Sequence, residues 1–229
     1  MKKVDNIYLF ISECYAKTTD NKAVNIKDIF MKNIDDNEKN AKSFVIELEK
    51  VEAYLKEDLN FFFDSDPAAN TLEEIKLTYP GFLAICYYRI AHPLYLLGYK
   101  TESRFISELA HKITGIDIHP GATVGVPFFI DHGTGIVIGE TAIIGSRVKM
   151  YQGVTLGALS LSRGHCLKGE KRHPTVGNNV TIYSGASVLG DTKIGDDVTL
   201  GSNVFITEDI PPHTRVTIGK PALVIKTKD

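Results

Sequence analysis

Histidine is the side chain that most readily exchanges a proton near neutral pH, and here the histidines cluster. Five of the seven (His111, His119, His132, His165 and His173) fall between residues 111 and 173. Three stand in polar strings: Asp117-Ile118-His119-Pro120, Ile130-Asp131-His132-Gly133-Thr134-Gly135 and Glu170-Lys171-Arg172-His173-Pro174. A carboxylate that orients an imidazole and stabilises its protonated form makes a general base. A lone histidine in such a string is more simply a turn residue with a satisfied hydrogen bond. The company of Asp131, Arg172 and His173 favours chemistry over that reading. Cys166, next to His165, raises a Cys–His acyl carrier. Adjacent side chains in a polar loop seldom hold dyad geometry, so a surface thiol is the simpler account.

The elements that must position these residues change character along the chain. Only Gly81 and Gly98 precede residue 115, and the other 17 of 19 glycines lie from there onward. We read residues 1–114 as a helical domain and residues 115–229 as a second domain. In the first, Phe44, Val45, Leu48, Val51 and Leu55 recur at helical spacing within residues 41–59,. Further helices are expected over residues 71–77, 82–97 and 101–113, with Pro93 kinking or shortening the third and Gly115 stopping the last.

In the second domain the period becomes six. Ile118, Val124, Ile130, Ile136, Ala142, Val148 and Val154 follow one count, and Val176, Ile182, Val188, Ile194, Leu200 and Ile206 another. This is the pattern of a parallel β-helix built from hexapeptide sides, three to a coil. With about 18 residues per coil, Asp117 and His132 fall on neighbouring coils and nearly adjacent sides, within reach of contact. Val154 and Val176 are out of phase, so the Gly-, Ser- and Lys-rich stretch 157–173 is read as a loop extruded from the coil. The fold class is α+β: an N-terminal helical domain, then a hexapeptide β-helix with one extruded loop. Fold alone does not give function.

Composition narrows the classes. The formal net charge of −2 argues against a nucleic-acid binder. No apolar run is long enough to span a membrane, and the short run Ile7–Ile11 between Asp5 and Glu13 is no secretion signal. Three scattered cysteines (Cys14, Cys86, Cys166) suit a reducing cytoplasm.

The string DIHP…DHGTGIVIGETA, then RHP, resembles serine O-acetyltransferases of the hexapeptide acyltransferase superfamily. Ser65-Asp66-Pro67-Ala68-Ala69, Tyr79-Pro80-Gly81-Phe82 and Tyr88-Arg89-Ile90-Ala91-His92 resemble that family's helical domain. The resemblance covers roughly residues 60–225. It implies a left-handed β-helix and transfer of acetyl from acetyl-CoA to L-serine in a ternary complex, in cysteine biosynthesis. His132 is then the general base and Asp117 its orienting carboxylate. Asp66 and Asp131 match the positions that recognise the substrate ammonium, and Arg172 and His173 those that hold the substrate, Arg172 by its carboxylate. Gly157, Ser184 and Ser202 fall on the pantetheine path, and Lys220 could meet a CoA phosphate. Asp66 has a simpler reading as an N-cap before Pro67, and Glu140 as a coil-turn residue. No metal is expected.

The resemblance also implies trimers, because sites form between adjacent prisms, or hexamers in which helical domains pair two trimers. The loop 158–172 is longer than in many relatives. The isoleucine-ended tail through which some members bind O-acetylserine sulfhydrylase is absent, so that complex is not expected. Inhibition by cysteine, a mimic of serine, fits the same pocket. Three rivals stand beside this reading. One is a hexapeptide O-acetyltransferase for sugars or xenobiotics, which would not need Asp66. One is a γ-carbonic-anhydrase-type zinc enzyme using His119, His132 and His173. The third is a non-catalytic scaffold.

Overall fold

The computed structural model describes residues 2–20, 22–159 and 169–219, with side chains from Asn6 onward. Cys166, Lys220 and the middle of the expected loop, 160–168, lie outside the described residues.

Six helices come first: α1 (Lys2–Asp20), α2 (Ile26–Asn33), α3 (Glu38–Ser65), α4 (Leu72–Thr78), α5 (Pro80–Leu96) and α6 (Lys100–Thr114). The helical spacing at 41–59 belongs to α3, whose buried side chains Ala41, Phe44, Leu48, Val51, Leu55, Leu59 and Phe62 form one stripe. Asn37 accepts from the Asn40 N–H and Thr71 from the Glu74 N–H, satisfying first-turn donors of α3 and α4,. Pro80 opens α5, and the helix passes through Pro93 to end at Leu96. Gly115, at φ 72°, closes α6 in the left-handed conformation,. The first two helices were not anticipated. They pack Phe10 and Phe30 against Phe44, with ring centroids 5.4 to 6.1 Å apart.

Fourteen short strands follow among the described residues: β1 (Asp117–Ile118), β2 (Thr123–Val124), β3 (Phe128–Asp131), β4 (Val137–Ile138), β5 (Ile143–Ile144), β6 (Val148–Tyr151), β7 (Thr155–Gly157), β8 (Thr175–Val176), β9 (Thr181–Ile182), β10 (Ser187–Leu189), β11 (Lys193–Ile194), β12 (Thr199–Leu200), β13 (Phe205–Ile206) and β14 (Arg215–Val216). They form three parallel sheets ordered β1-β4-β7-β10-β13, β11-β8-β5-β2 and β14-β12-β9-β6-β3. We name these sheets A, B and C. Strands β1 to β13 visit A, B and C in turn, and a single bridge from Ile210 to Ile194 of sheet B precedes β14 in C, which is a three-sided parallel β-helix.

The register corrects the six-residue count. Asp117 pairs with Val137, 20 residues on; Val137 pairs with Thr155, 18 on. The first coil therefore carries two surplus residues. Asp131 lies beside Tyr151 in the ladder, while Gly135 lies against Gly153. The surplus is accordingly His132-Gly133, bulging from the corner between β3 (Phe128–Asp131) and β4 (Val137–Ile138). After it Ile138, Ile144, Met150 and Leu156 stack on the earlier anchors, while Ile136, Ala142, Val148 and Val154 fill the other inward position. The count survived because both positions point inward and are buried. Thr155 pairs with Ser187, 32 residues on, fourteen more than a coil. That excess is the excursion between β7 (Thr155–Gly157) and β8 (Thr175–Val176).

The helices sit on the first coil. Asp58 of α3 and Arg89 of α5 are both buried and paired in a fork, with N–O distances of 3.0 and 3.1 Å. Arg89 also donates to the carbonyls of Val124 and Gly125, and Asp58 accepts from the Phe128 N–H. The Tyr88 hydroxyl donates to the Ala122 carbonyl and accepts from the Val124 N–H. His92 Nδ1 meets the Pro120 carbonyl at 2.7 Å. One hydrophobic core runs through both parts.

Candidate active site

The expected site residues gather at two corners. The first is the β3–β4 corner, where His132 stands at φ 56° with 70% of its side chain exposed. Its Nδ1 lies 3.7 Å from Asp131 Oδ1. The bulge rests on Gly133, where a Cβ would come within 2.4 Å of the Ile116 side chain. Asp117 follows Ile116 on β1 and is partly buried, but no hydrogen bond or ion pair joins it to His132.

Asp66 reaches this corner from the helices. It ends α3, and its Oδ1 accepts from the Ala68 N–H. The N-cap reading is thus corrected: Asp66 closes a helix, and Thr71 caps the next. Its Oδ2 accepts from the Tyr79 hydroxyl at 2.6 Å. This bond, with burial and the nearby Asp131 charge, pushes the Tyr79 hydroxyl up to about 12. Burial, then Tyr183, then the Asp131 and Asp66 charges hold the Tyr151 hydroxyl up, and Gly81, two residues past Tyr79, packs on Ile130, the neighbour of Asp131. Gly81 permits the arrangement, because a Cβ there would lie 2.1 Å from the Ile130 carbonyl oxygen. Below the bulge, Gln152, Ser184 and Ser202 stack coil by coil, with the two serine hydroxyls 3.2 Å apart. Tyr151 and Tyr183 stack beside them at 5.2 Å.

The second corner joins sheets A and B. His173 is buried, and its Nδ1 accepts from the Thr141 N–H at 3.1 Å. A neutral ring in that bond carries its proton on Nε2. Burial, then Arg172 and Lys171, push His173 down to about 4, so it is neutral at physiological pH. The N–H groups of Arg172 and His173 both donate to Thr141 Oγ1. Arg172 pairs with Glu140, whose other oxygen accepts from the Tyr95 hydroxyl at 2.6 Å. These partners hold the Glu140 carboxyl down at about 2, the Tyr95 bond contributing most. Glu140 does occupy a coil turn, and it is also an ion-pair partner. His119 lies here too, its ring edge-on to Tyr95 at 5.6 Å. Burial, then Arg104, hold it down at about 4. Gly157 ends β7 at this same corner.

One chain therefore unites Asp66, Asp131 and His132, with Ser184 and Ser202 below them. It holds Arg172, His173 and Gly157 at the opposite edge of sheet A. Tyr79, Tyr95 and Tyr151 were not anticipated as site residues. Tyr79 stands in a string already noticed, but nothing local marks the other two.

The family model described as bacterial transferase hexapeptide (six repeats) matches residues 173–208. The chain is 48% identical to the plasmid serine acetyltransferase of Synechococcus elongatus over 172 residues, 74% of this chain and 54% of that one. Its match thus spans about half of that relative's length. It is 45% identical to the serine acetyltransferase of Bacillus subtilis over 171 residues, 75% of this chain and 76% of that one. Among solved structures, it resembles serine acetyltransferase isoform 3 of Entamoeba histolytica, crystallised with cysteine. There the TM-score is 0.80 at 35% identity, covering 100% of this chain and 85% of that one. The chain belongs to the serine acetyltransferase family.

Proposed function

We propose that this chain transfers the acetyl group of acetyl-CoA to the hydroxyl of L-serine, giving O-acetyl-L-serine and CoA. The observation that carries the reading is the meeting of Asp66, Asp131 and His132 at one corner, two carboxylates beside one exposed imidazole. Asp66 and Asp131 pair with the serine ammonium. A carboxylate facing Nδ1 favours the tautomer that leaves the Nε2 lone pair for the hydroxyl proton. As that proton leaves, the serine oxygen bonds to the thioester carbonyl carbon. The C–S bond then breaks, and the imidazolium returns the proton to the CoA sulfur. Asp131 is the carboxylate nearest the ring, and Asp117 orients the base once the ring turns inward from Asp131. Neutral His173, a donor at Nε2, and Arg172 hold the substrate carboxylate.

These last two stand at the opposite edge of sheet A, so a complete site takes its two halves from adjacent prisms. This supports a homotrimer, or a hexamer of two trimers, as the working form. Pantetheine runs along Ser184 and Ser202 of one prism and Gly157 of the next, with Lys220 for a CoA phosphate. No metal enters the reaction. Asp66, supplied by the helices, supports serine over a sugar or xenobiotic acceptor. Cysteine carries the same ammonium and carboxylate, as in the E. histolytica relative's complex, and competes for the serine site. No helix of the described residues is long and apolar enough to cross a membrane. We place the enzyme in the cytoplasm, in cysteine biosynthesis.

CoA release measured with acetyl-CoA and L-serine should depend on serine and fall about 10²- to 10⁴-fold in His132→Ala. Release with another hydroxyl compound, and none with serine, would overturn the substrate assignment.

A further inference from the structure

Tyr95 lies on α5, far in sequence from every residue expected to touch substrate, yet it is wired to two of them. Its hydroxyl donates to Glu140 Oε1, and Glu140 Oε2 accepts from Arg172. The next residue, Thr141, fixes the Arg172 and His173 backbones and the His173 ring. Arg172 and Glu140 are mostly buried, with side chains 20% and 30% exposed. Tyr95 is itself held on three sides. The Lys100 ammonium lies over its ring at 3.0 Å, the His119 ring meets it edge-on, and Gly121 leaves the room it fills, since a Cβ there would lie 2.9 Å from the ring.

We propose that Tyr95 is a positioning residue for serine: acting through Glu140, it sets the orientation in which the Arg172 guanidinium meets the substrate carboxylate. A guanidinium is a rigid planar fork, and its bidentate grip on a carboxylate depends on the plane it presents. Glu140 fixes that plane by holding one edge. Glu140 alone would swing about its own rotamers, and the Tyr95 bond removes that freedom. The helical domain thereby tunes a contact made at the far corner of the β-helix. Both oxygens of Glu140 are engaged, so its charge offsets Arg172 without being free to take the serine ammonium.

This inference rests on the reading of Arg172 as the carboxylate contact, and the test separates the two. L-Serine and L-serinamide, which lacks the carboxylate charge, are compared as acceptors for wild type, Tyr95→Phe and Arg172→Ala. Tyr95→Phe keeps the ring and its packing. KM for serine should rise about 5- to 20-fold, at or below the lower end for a lost hydrogen bond to a charged group, because the bond acts through Glu140 and not on substrate. The kcat with serine, KM for acetyl-CoA and kcat/KM for serinamide should stay within about twofold. Arg172→Ala should raise KM for serine further, and by a larger factor than KM for serinamide.

Equal losses for serine and serinamide in Tyr95→Phe would show a merely structural role and overturn the proposal. So would an unchanged KM for serine in Tyr95→Phe beside a raised one in Arg172→Ala. A lowered KM for serine in Tyr95→Phe would mean that Glu140 restrains Arg172 from substrate, which also overturns it. An unchanged KM for serine in Arg172→Ala would remove the carboxylate assignment and the proposal with it.

Discussion

His119 and His173 share a corner and a condition: each is held down at about 4, by burial first. Each ring accepts a backbone N–H at Nδ1, from Gly121 and Thr141 respectively. Protonation would turn that nitrogen into a donor facing a donor. In the unfolded chain both rings take up protons near pH 6.5; in the folded chain they do so only near pH 4. Between those values the unfolded state binds more protons, so stability falls as pH falls. Melting temperature should therefore fall as pH drops from about 6.5 to about 4. His119→Asn, which keeps an acceptor for Gly121 but cannot titrate, should flatten that slope. An equally steep slope in the variant would show that His119 has no part in it. His132, by contrast, stands exposed on its bulge.

Between elements, the Asp58–Arg89 pair joins α3, α5 and the first coil. Arg89→Met leaves a buried carboxylate without its partner and strips donors from the Val124 and Gly125 carbonyls. Urea unfolding should show a loss of about 3–5 kcal/mol. A loss under about 1 kcal/mol would mean that water replaces the guanidinium and that the pair does not hold the parts together. This tie also marks what the sequence could show. Spacing of three and four exposed the α3 stripe, because each position answers to its own helix. Period six exposed the coil for the same reason. Asp58 and Arg89 carry no such mark; their meeting depends on how two helices cross. The two-residue surplus at His132-Gly133 was hidden because a slip of two lands on another inward position. Asp131-His132 was legible as neighbours in sequence, and Asp66 only through family likeness. Tyr95–Glu140, 45 residues apart, had no local signature.

At the scale of the whole molecule, the two corners predict complementation. His132→Ala and His173→Ala chains, each inactive alone, are mixed, dissociated and reassembled. With random mixing, about a quarter of shared sites pair an intact His132 with an intact His173 from the neighbour. Activity should recover towards that fraction of wild type. No recovery in confirmed mixed assemblies would place both histidines of each site in one chain.

The contacts that Tyr88, Arg89, His92 and Asp58 make with the first coil have a further meaning. A stack of parallel strands ends in a row of unspent backbone donors and acceptors, and such a row invites another strand to join it. Here six groups of the row at the N-terminal end are already occupied. The carbonyls of Pro120, Ala122, Val124 and Gly125 and the N–H groups of Val124 and Phe128 each meet a side chain from the helices. The helices thus do for the β-helix what one more coil would do, without offering an edge of their own. They end the stack, and they keep a fold whose logic is repetition from recruiting its neighbours into a fibre.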